Sequence, residues 1–496
     1  MSTLLERATA LRDEQRALDA QAEKIRRQRE QLATELAEVE GLIVMADQSE
    51  GTSSAAKRAR HEERPSTLAP KSWKMLDEVV AHVSAQRAAG KLLPFGAPGR
   101  VPRVYVDGCF DMMHSGHMNA VRQAKLIADS VGGLLIVGVH TDVEIEKNKG
   151  PPVMHDAERL ALVSAVKWVD ELVFDTPYTM SLPFLDSIDA DYVVHGDDIS
   201  INADGTDAYA AARQAGRMKV VKRTEGVSTT DLVGRLLLLT KSHHEPAPPV
   251  PEVVTDATPS SAADAASVYT GANISSSGVS QFLPTTWRLR QFSNGRVAQP
   301  GASVVYVDGA FDLLHAGHVD SLYAARNKGD FLLVGLHDDA TVNQQRGQNQ
   351  PICSLHERAL CVLALACVDE VILGAPSIVS NDLIKSMNIS IVVKDADDVS
   401  DGTNSNSTTT SPIKQAALPL KALASPGAVT AVDRYAVPRE LGILHETPQA
   451  TKHPLHLGDI VTRIIENRTR YEARNLKREK RELNYMQNQK TFIAEI

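Results

Sequence analysis

The sequence predicts an α/β protein of two tandem Rossmann-like domains, each a doubly wound parallel sheet, preceded by a coiled-coil-like helix. Three observations predict it. Residues 104–125 (VYVDGCFDMMHSGHMNAVRQAK) return as residues 305–326 (VYVDGAFDLLHAGHVDSLYAAR), with 11 of 22 positions identical at an offset of 201. Each copy alternates short β-branched runs with helix-length segments, the pattern of a parallel sheet covered on both faces. The first 43 residues carry apolar side chains at every seventh position, as a coiled coil does.

The repeat continues beyond its first block. GGLLIVGVHTD (132–142) answers GDFLLVGLHDD (329–339), and ERLALVSAVKWVDELVF (158–174) answers ERALCVLALACVDEVIL (357–373). Two fused copies of one domain account for this. In the first copy, Val104–Val106 reads as a strand and about His117 to Ala128 as a helix. Leu134–Val139 is the next strand, Ala157–Val166 a helix, and Glu171–Phe174 and Tyr192–Val194 are further strands; Trp168 reads as core. Right-handed crossovers then wind the sheet, and such sheets bind ligands beyond the carboxyl ends of their strands. The first domain is expected over 98–243 and the second over 281–490.

The remaining segments divide by composition. Leu4, Leu11, Leu18, Ile25, Leu32 and Val39 form one heptad row, and Ala8, Ala22, Leu36 and Ile43 the second, which Gln15 and Arg29 interrupt. An amphipathic helix on its own domain is the alternative for residues 1–45; balanced charges there disfavour a membrane-surface helix. Residues 244–280 are rich in Pro, Ala and Ser and read as a flexible linker, and 400–430 as a loop insertion in the second copy. A net charge of −9 gives no electrostatic reason to expect nucleic acid. No apolar run is long enough to span a membrane, so membrane association is peripheral at most. Four cysteines without CxxC spacing and no secretory signal make the cytoplasm the expected compartment.

The chemistry concentrates at His114-Ser-Gly-His117, which follows a strand and opens a helix. A helix N-terminus offers unpaired N–H groups and a positive dipole end, so it favours phosphate. Two histidines three apart can add hydrogen bonds there, and Gly116 permits close backbone approach. Two capping histidines are the plainer reading, weakened by the recurrence of the pair as His315 and His318. No third ligand has the spacing of a zinc site, so no protein-held metal is expected.

The DGxFDxxHxGH block resembles the signature of the cytidylyltransferase family, and RTEGVSTTDLVGR (223–235) its second signature. HGDDI (195–199) and KGPPV (149–153) are similar to two further family segments, in the same order and spacing, so the resemblance covers residues 104–237. It implies a nucleotidyltransferase that uses CTP with Mg²⁺, the ion coordinated mostly by phosphate and water. His114, His117, Lys149 and Arg223 would carry catalysis. Gly108, Cys109, Phe110, His195, Gly196, Asp197, Thr224, Gly226, Val227, Ser228 and Thr229 would hold the nucleotide. Asp142 and Tyr178 are the candidates for a substrate ammonium, by charge and by an aromatic face; Tyr178 could equally be packing. Outside the family context Lys149 and Arg223 would read as solvated surface charges. The tandem arrangement, the HG-x-D-I variant and FLP…QF (282–292) point within the family to phosphoethanolamine as second substrate. Phosphocholine is the nearest alternative and glycerol-3-phosphate a more remote one.

The second copy keeps Asp308, Gly309, Phe311, Asp312, His315 and His318, but has Arg346 for Lys149, Ser377 for Tyr178 and Lys394 for His195. TKHPLHLG (451–458) stands where the first copy has RTEGVSTT. Arg does not replace a mobile Lys point charge, so catalysis is expected in the first copy, with Phe311, His315 and His318 as weak nucleotide candidates. The resemblance implies that the two copies pair within one chain, with the coiled coil available for oligomerisation. A non-catalytic nucleotide-binding scaffold is the reading from another class, and the intact Lys149 and Arg223 argue against it.

Overall fold

A computed structural model describes residues 69–197, 202, 206–224, 227–238, 282–347, 350–394, 433–446, 453 and 455–474. The heptad run, the 244–280 linker and the 400–430 insertion lie outside them, as do Gly226 and the last two residues of HGDDI. Among the described residues no helix is long and apolar enough to cross a membrane.

Six parallel strands form the first sheet: β1 (Lys74–Met75), β2 (Arg103–Gly108), β3 (Leu134–Val139), β4 (Glu171–Phe174), β5 (Tyr192–Gly196) and β6 (Met218–Val221), in the order β1-β4-β3-β2-β5-β6. The second sheet contains β7 (Val304–Gly309), β8 (Phe331–Leu336), β9 (Glu370–Leu373), β10 (Ile389–Lys394) and β11 (Leu444–Glu446), ordered β11-β10-β7-β8-β9. Leaving out β1, the two orders coincide. The chain leaves β2 toward β3 and β4, then crosses back to β5 and β6. The topological switch therefore falls between β2 and β5, where a doubly wound sheet opens a crevice at its strand ends.

The central strands are apolar because both faces are covered. Val104, Tyr105 and Val106 are buried, and Asp107 pairs across the ladder with Gly138. A Cβ on Gly138 would overlap the Tyr105 hydroxyl, and one on Gly335 would overlap that of Tyr306. The glycine of each GVH and GLH run thus makes room for the tyrosine of each VYVDG run. Edge strand β1 and the helix Leu76–Ala88 precede the expected start of the first domain yet complete its sheet. Trp168 is partly buried against the core, its ring edge-on to Phe292 at 5.1 Å.

The two copies pack about a local two-fold arrangement. Val166 and Leu365 form an antiparallel bridge, flanked by Lys167 N–H donating to Ala364 O at 3.0 Å and Ala366 N–H to Ala165 O at 2.8 Å. Arg235 pairs with Glu357 at 2.9 Å, and the matching Arg463 of the second copy pairs with Glu158 at 2.7 Å. One apolar core runs through both domains, so the contact resembles a domain interior more than a passing encounter.

Candidate functional site

Strand β2 ends in a strained turn. Phe110 and Met112 adopt φ of 49° and 48°, and Phe311 and Leu313 repeat this at 49° and 45°. Side chains larger than glycine rarely accept that region, and such strain clusters at functional sites. The turn delivers His114 to the N-cap of the helix Ser115–Ser130, where its Nδ1 accepts from the Gly116 N–H at 3.1 Å. That bond requires Nδ1 to be bare, so the neutral ring carries its proton on Nε2. Burial, then the charges of His117, Arg223 and Arg235, hold His114 well below the usual histidine range. The His114 and His117 rings lie 4.0 Å apart, and Phe110 meets His117 edge-on at 5.9 Å. A Cβ on Gly116 would come within 2.9 Å of the His114 ring and 3.3 Å of Val227.

A second helix starts against the same turn. Ser228 Oγ accepts from Asp231 N–H at 3.0 Å at the head of the helix Thr229–Leu238, and Thr229 Oγ1 donates to Asp111 O at 3.0 Å. Thr224 is buried, with its hydroxyl accepting from Asn119 Nδ2 at 3.0 Å. The exposed Arg223 donates its backbone N–H to Asp197 Oδ1 at 2.9 Å. Two helix N-termini, a histidine pair and an arginine thus converge beyond β2 and β5, a strongly anion-favouring arrangement.

Beside it lies a cluster of side chains built on a buried carboxylate. Asp107 is buried, its Oδ1 accepts from the Tyr209 hydroxyl at 2.6 Å, and its Oδ2 has no hydrogen-bond partner among the described residues. Burial pushes this carboxyl up to about 7, against the opposing pull of the Tyr209 hydrogen bond and of Lys149. Around it stand His140, with Nε2 3.9 Å from Asp107 Oδ2, and Tyr178, whose ring is 5.5 Å from His140. Lys149 follows the helix Asp142–Asn148 and holds Nζ 5.4 Å from the centre of the Tyr178 ring. His195, at the end of β5, lies 4.3 Å from the Tyr209 ring, next to Gly196.

Most residues singled out in the sequence gather at these two places. Asp142 is otherwise committed: its carboxylate lies 2.9 Å from the fully buried Arg159, which also donates to Cys109 O at 2.6 Å and His140 O at 2.7 Å. The residues that motif reading passed over are Asp107, His140 and Tyr209. Their signal was in the repeat, since Asp308, His337 and Tyr435 stand in the matching places.

The second copy repeats the turn but sets an arginine against its matching carboxylate. His315 and His318 stack at 3.7 Å and Phe311 packs on His318 at 5.4 Å. Arg434 occupies the slot of Ala208; its Nη2 lies 3.0 Å from Asp308 Oδ2 and 2.8 Å from His337 Nε2, and its Nε donates to Ser377 O at 2.7 Å.

Paired histidines at a helix start, over the switch point of a doubly wound sheet, define a nucleotidyltransferase-type domain, here present twice. A family model described as cytidylyltransferase-like matches residues 105–235 and 306–416. The ethanolamine-phosphate cytidylyltransferase of Dictyostelium discoideum is 45% identical over 396 residues, covering 78% of this chain and 96% of that protein. The Arabidopsis thaliana protein of the same description is 43% identical, covering 79% and 86%. A probable choline-phosphate cytidylyltransferase of Schizosaccharomyces pombe is 39% identical over 150 residues, only 29% of this chain and 41% of that protein. The chain belongs to the ethanolamine-phosphate cytidylyltransferase family.

Proposed function

We propose that this chain transfers the cytidylyl group of CTP to phosphoethanolamine, releasing pyrophosphate, and that the first copy performs the reaction. A phosphate oxygen of phosphoethanolamine attacks the α-phosphorus in line; the new P–O bond forms as the bond to the pyrophosphate oxygen breaks, giving CDP-ethanolamine. The protein's work in such a transfer is positioning and charge stabilisation. His114 Nε2–H and His117 hold the triphosphate, aided by the N-termini of Ser115–Ser130 and Thr229–Leu238. Gly108, Cys109 and Phe110 line the nucleotide at the turn, and His195, Gly196 and Asp197 meet the cytosine. Thr224, Val227, Ser228 and Thr229 enclose the pyrophosphate end, where Arg223 meets the departing charge. Lys149 bridges the α-phosphate and the incoming phosphate as a mobile cation.

The observation that carries the reading is the juxtaposition of the anion site with the Asp107 pocket. A substrate with a phosphate at one end and an ammonium at the other satisfies both: the ammonium supplies the partner that Asp107 Oδ2 lacks, against the Tyr178 face. Asp107 thereby takes the role that sequence reading gave to Asp142, whose carboxylate serves Arg159. Among the described residues no three His, Cys, Asp or Glu side chains gather to hold a metal ion. Mg²⁺ entering with CTP fits here as an ion ligated by phosphate and water, where it would offset phosphate charge. Pyrophosphate release with CTP plus phosphoethanolamine, phosphocholine or glycerol-3-phosphate tests the assignment. The highest kcat/KM is expected for phosphoethanolamine, and an equal or reversed order would remove it.

A further inference from the structure

The loop after Lys149 is held by the second copy. Pro151 and Pro152 have no N–H, and the carbonyls of three successive residues are capped from the segment 463–474. Arg474 Nη1 donates to Pro151 O at 2.9 Å, Tyr471 Oη to Pro152 O at 3.3 Å, and Arg463 Nη1 to Val153 O at 3.3 Å. Gly150 sits at φ +105°, and a Cβ there would press on Arg474 Cγ at 3.0 Å. From the other side Asp111 fixes the same loop, accepting from Val153 N–H at 3.0 Å and Met154 N–H at 2.8 Å, with Arg474 Nη1 3.8 Å from its Oδ2. Tyr471 is only 2% exposed. The fit is therefore packed as well as hydrogen-bonded.

We propose that Arg474 and Tyr471 of the second copy are positioning residues for Lys149 of the first, so that the second copy serves catalysis by shaping the other copy's loop. The inference rests on the role proposed for Lys149. A lysine ammonium on four methylenes contributes to a transition state only if its backbone is placed, and a loop with two prolines has two fewer N–H donors with which to pair carbonyls within itself. The second copy supplies those pairs.

Steady-state kinetics on the full chain test this with Arg474→Ala, Arg474→Lys, Tyr471→Phe, Lys149→Ala and the Lys149→Ala/Arg474→Ala double variant. Arg474→Ala is expected to lower kcat about 10–100-fold, as a misplacement of about 1 Å does, with the KM for CTP nearly unchanged. Arg474→Lys should recover part of the loss. Tyr471→Phe keeps the ring and so the fold, and should still lower kcat severalfold. The decisive reading is the double variant, which should be no slower than Lys149→Ala alone, because a brace acting through Lys149 has nothing left to place. If Lys149→Ala is severe and the Arg474 effect simply multiplies onto it, or both brace variants leave kcat intact, the brace is wrong while the site stands. If Lys149→Ala itself leaves kcat unchanged, the proposed site fails and the brace with it.

Discussion

Arg434 Nη2 lies 3.0 Å from Asp308 Oδ2 in the second copy, where the first copy has Ala208 at the matching position. The guanidinium is an internal cation at the place matching the one proposed for a substrate ammonium in the first copy. One phosphoethanolamine per chain is therefore expected in a calorimetric titration in the presence of a non-reactive CTP analogue. Two equivalents would show that Arg434 does not seal the pocket. Removing it strands a buried carboxylate, so Arg434→Ala should cost about 3–5 kcal/mol in urea unfolding. At temperatures below its melt the variant should keep most of its turnover.

With the ammonium on Asp107 as proposed, activity and stability should respond to pH in opposite senses. The Asp107 carboxyl's folded value of about 7 lies above the ordinary carboxylate value of about 3.9. The native state therefore binds more protons than the unfolded chain between those values, and stability is lost as pH rises from about 4 through 7. Asp107→Asn should consequently match the parent near pH 4 and exceed it at pH 8 by about 1–4 kcal/mol. Phosphoethanolamine capture needs the ionised form, so kcat/KM should climb through pH 6–8 in the parent and fall about 10²-fold or more in the variant. Denaturant melts at the two pH values, with kcat/KM profiles alongside, check both halves; a flat parent profile would take Asp107 out of the amine pocket.

The sequence made the fold legible where burial imposed continuous apolar runs. Leu134–Val139 and Glu171–Phe174 were readable residue for residue because both faces of those strands are covered. Strand β6 was not, since Met218, Lys219 and Val220 are partly or fully exposed at an edge, and β1 is only two residues long. The histidine turn was legible because the pair recurs at the same spacing behind both VYVDG strands. The cluster around Asp107 was not. Asp107 and Tyr209 lie 102 residues apart, and only the sheet brings them to 2.6 Å; nor does the sequence show that Arg159, 17 residues on, pairs with Asp142.

The heptad run of residues 1–43 stands apart from both sheets in sequence. We expect deletion of 1–43 to leave specific activity within about twofold and to change the assembly, because a two-stranded coiled coil would associate chains without touching either site. Light scattering on the full and shortened proteins compares their masses. Identical masses would favour a helix folded onto its own chain.

The two histidine pairs should differ sharply in consequence. Both cap a helix start behind the same strained turn, and burial holds His114 well below the usual range and His315 at about 3. In the first copy Arg223 acts on His114, and the Asp107 carboxylate keeps an oxygen without a hydrogen-bond partner among the described residues; in the second, Arg434 pairs with the matching Asp308 and Arg346 replaces the lysine. His117→Ala should lower kcat about 10²–10³-fold, because a lost phosphate donor acts mainly in the transition state. His318→Ala removes a half-buried ring that stacks on His315, so its loss should appear as a lower melting temperature, with turnover reduced only as far as the pairing of the domains loosens. Kinetics on both variants, each paired with a thermal melt, make the comparison. A well-folded His318→Ala that has lost turnover, beside a mild His117→Ala, would move the reaction to the second copy and overturn the assignment of the first.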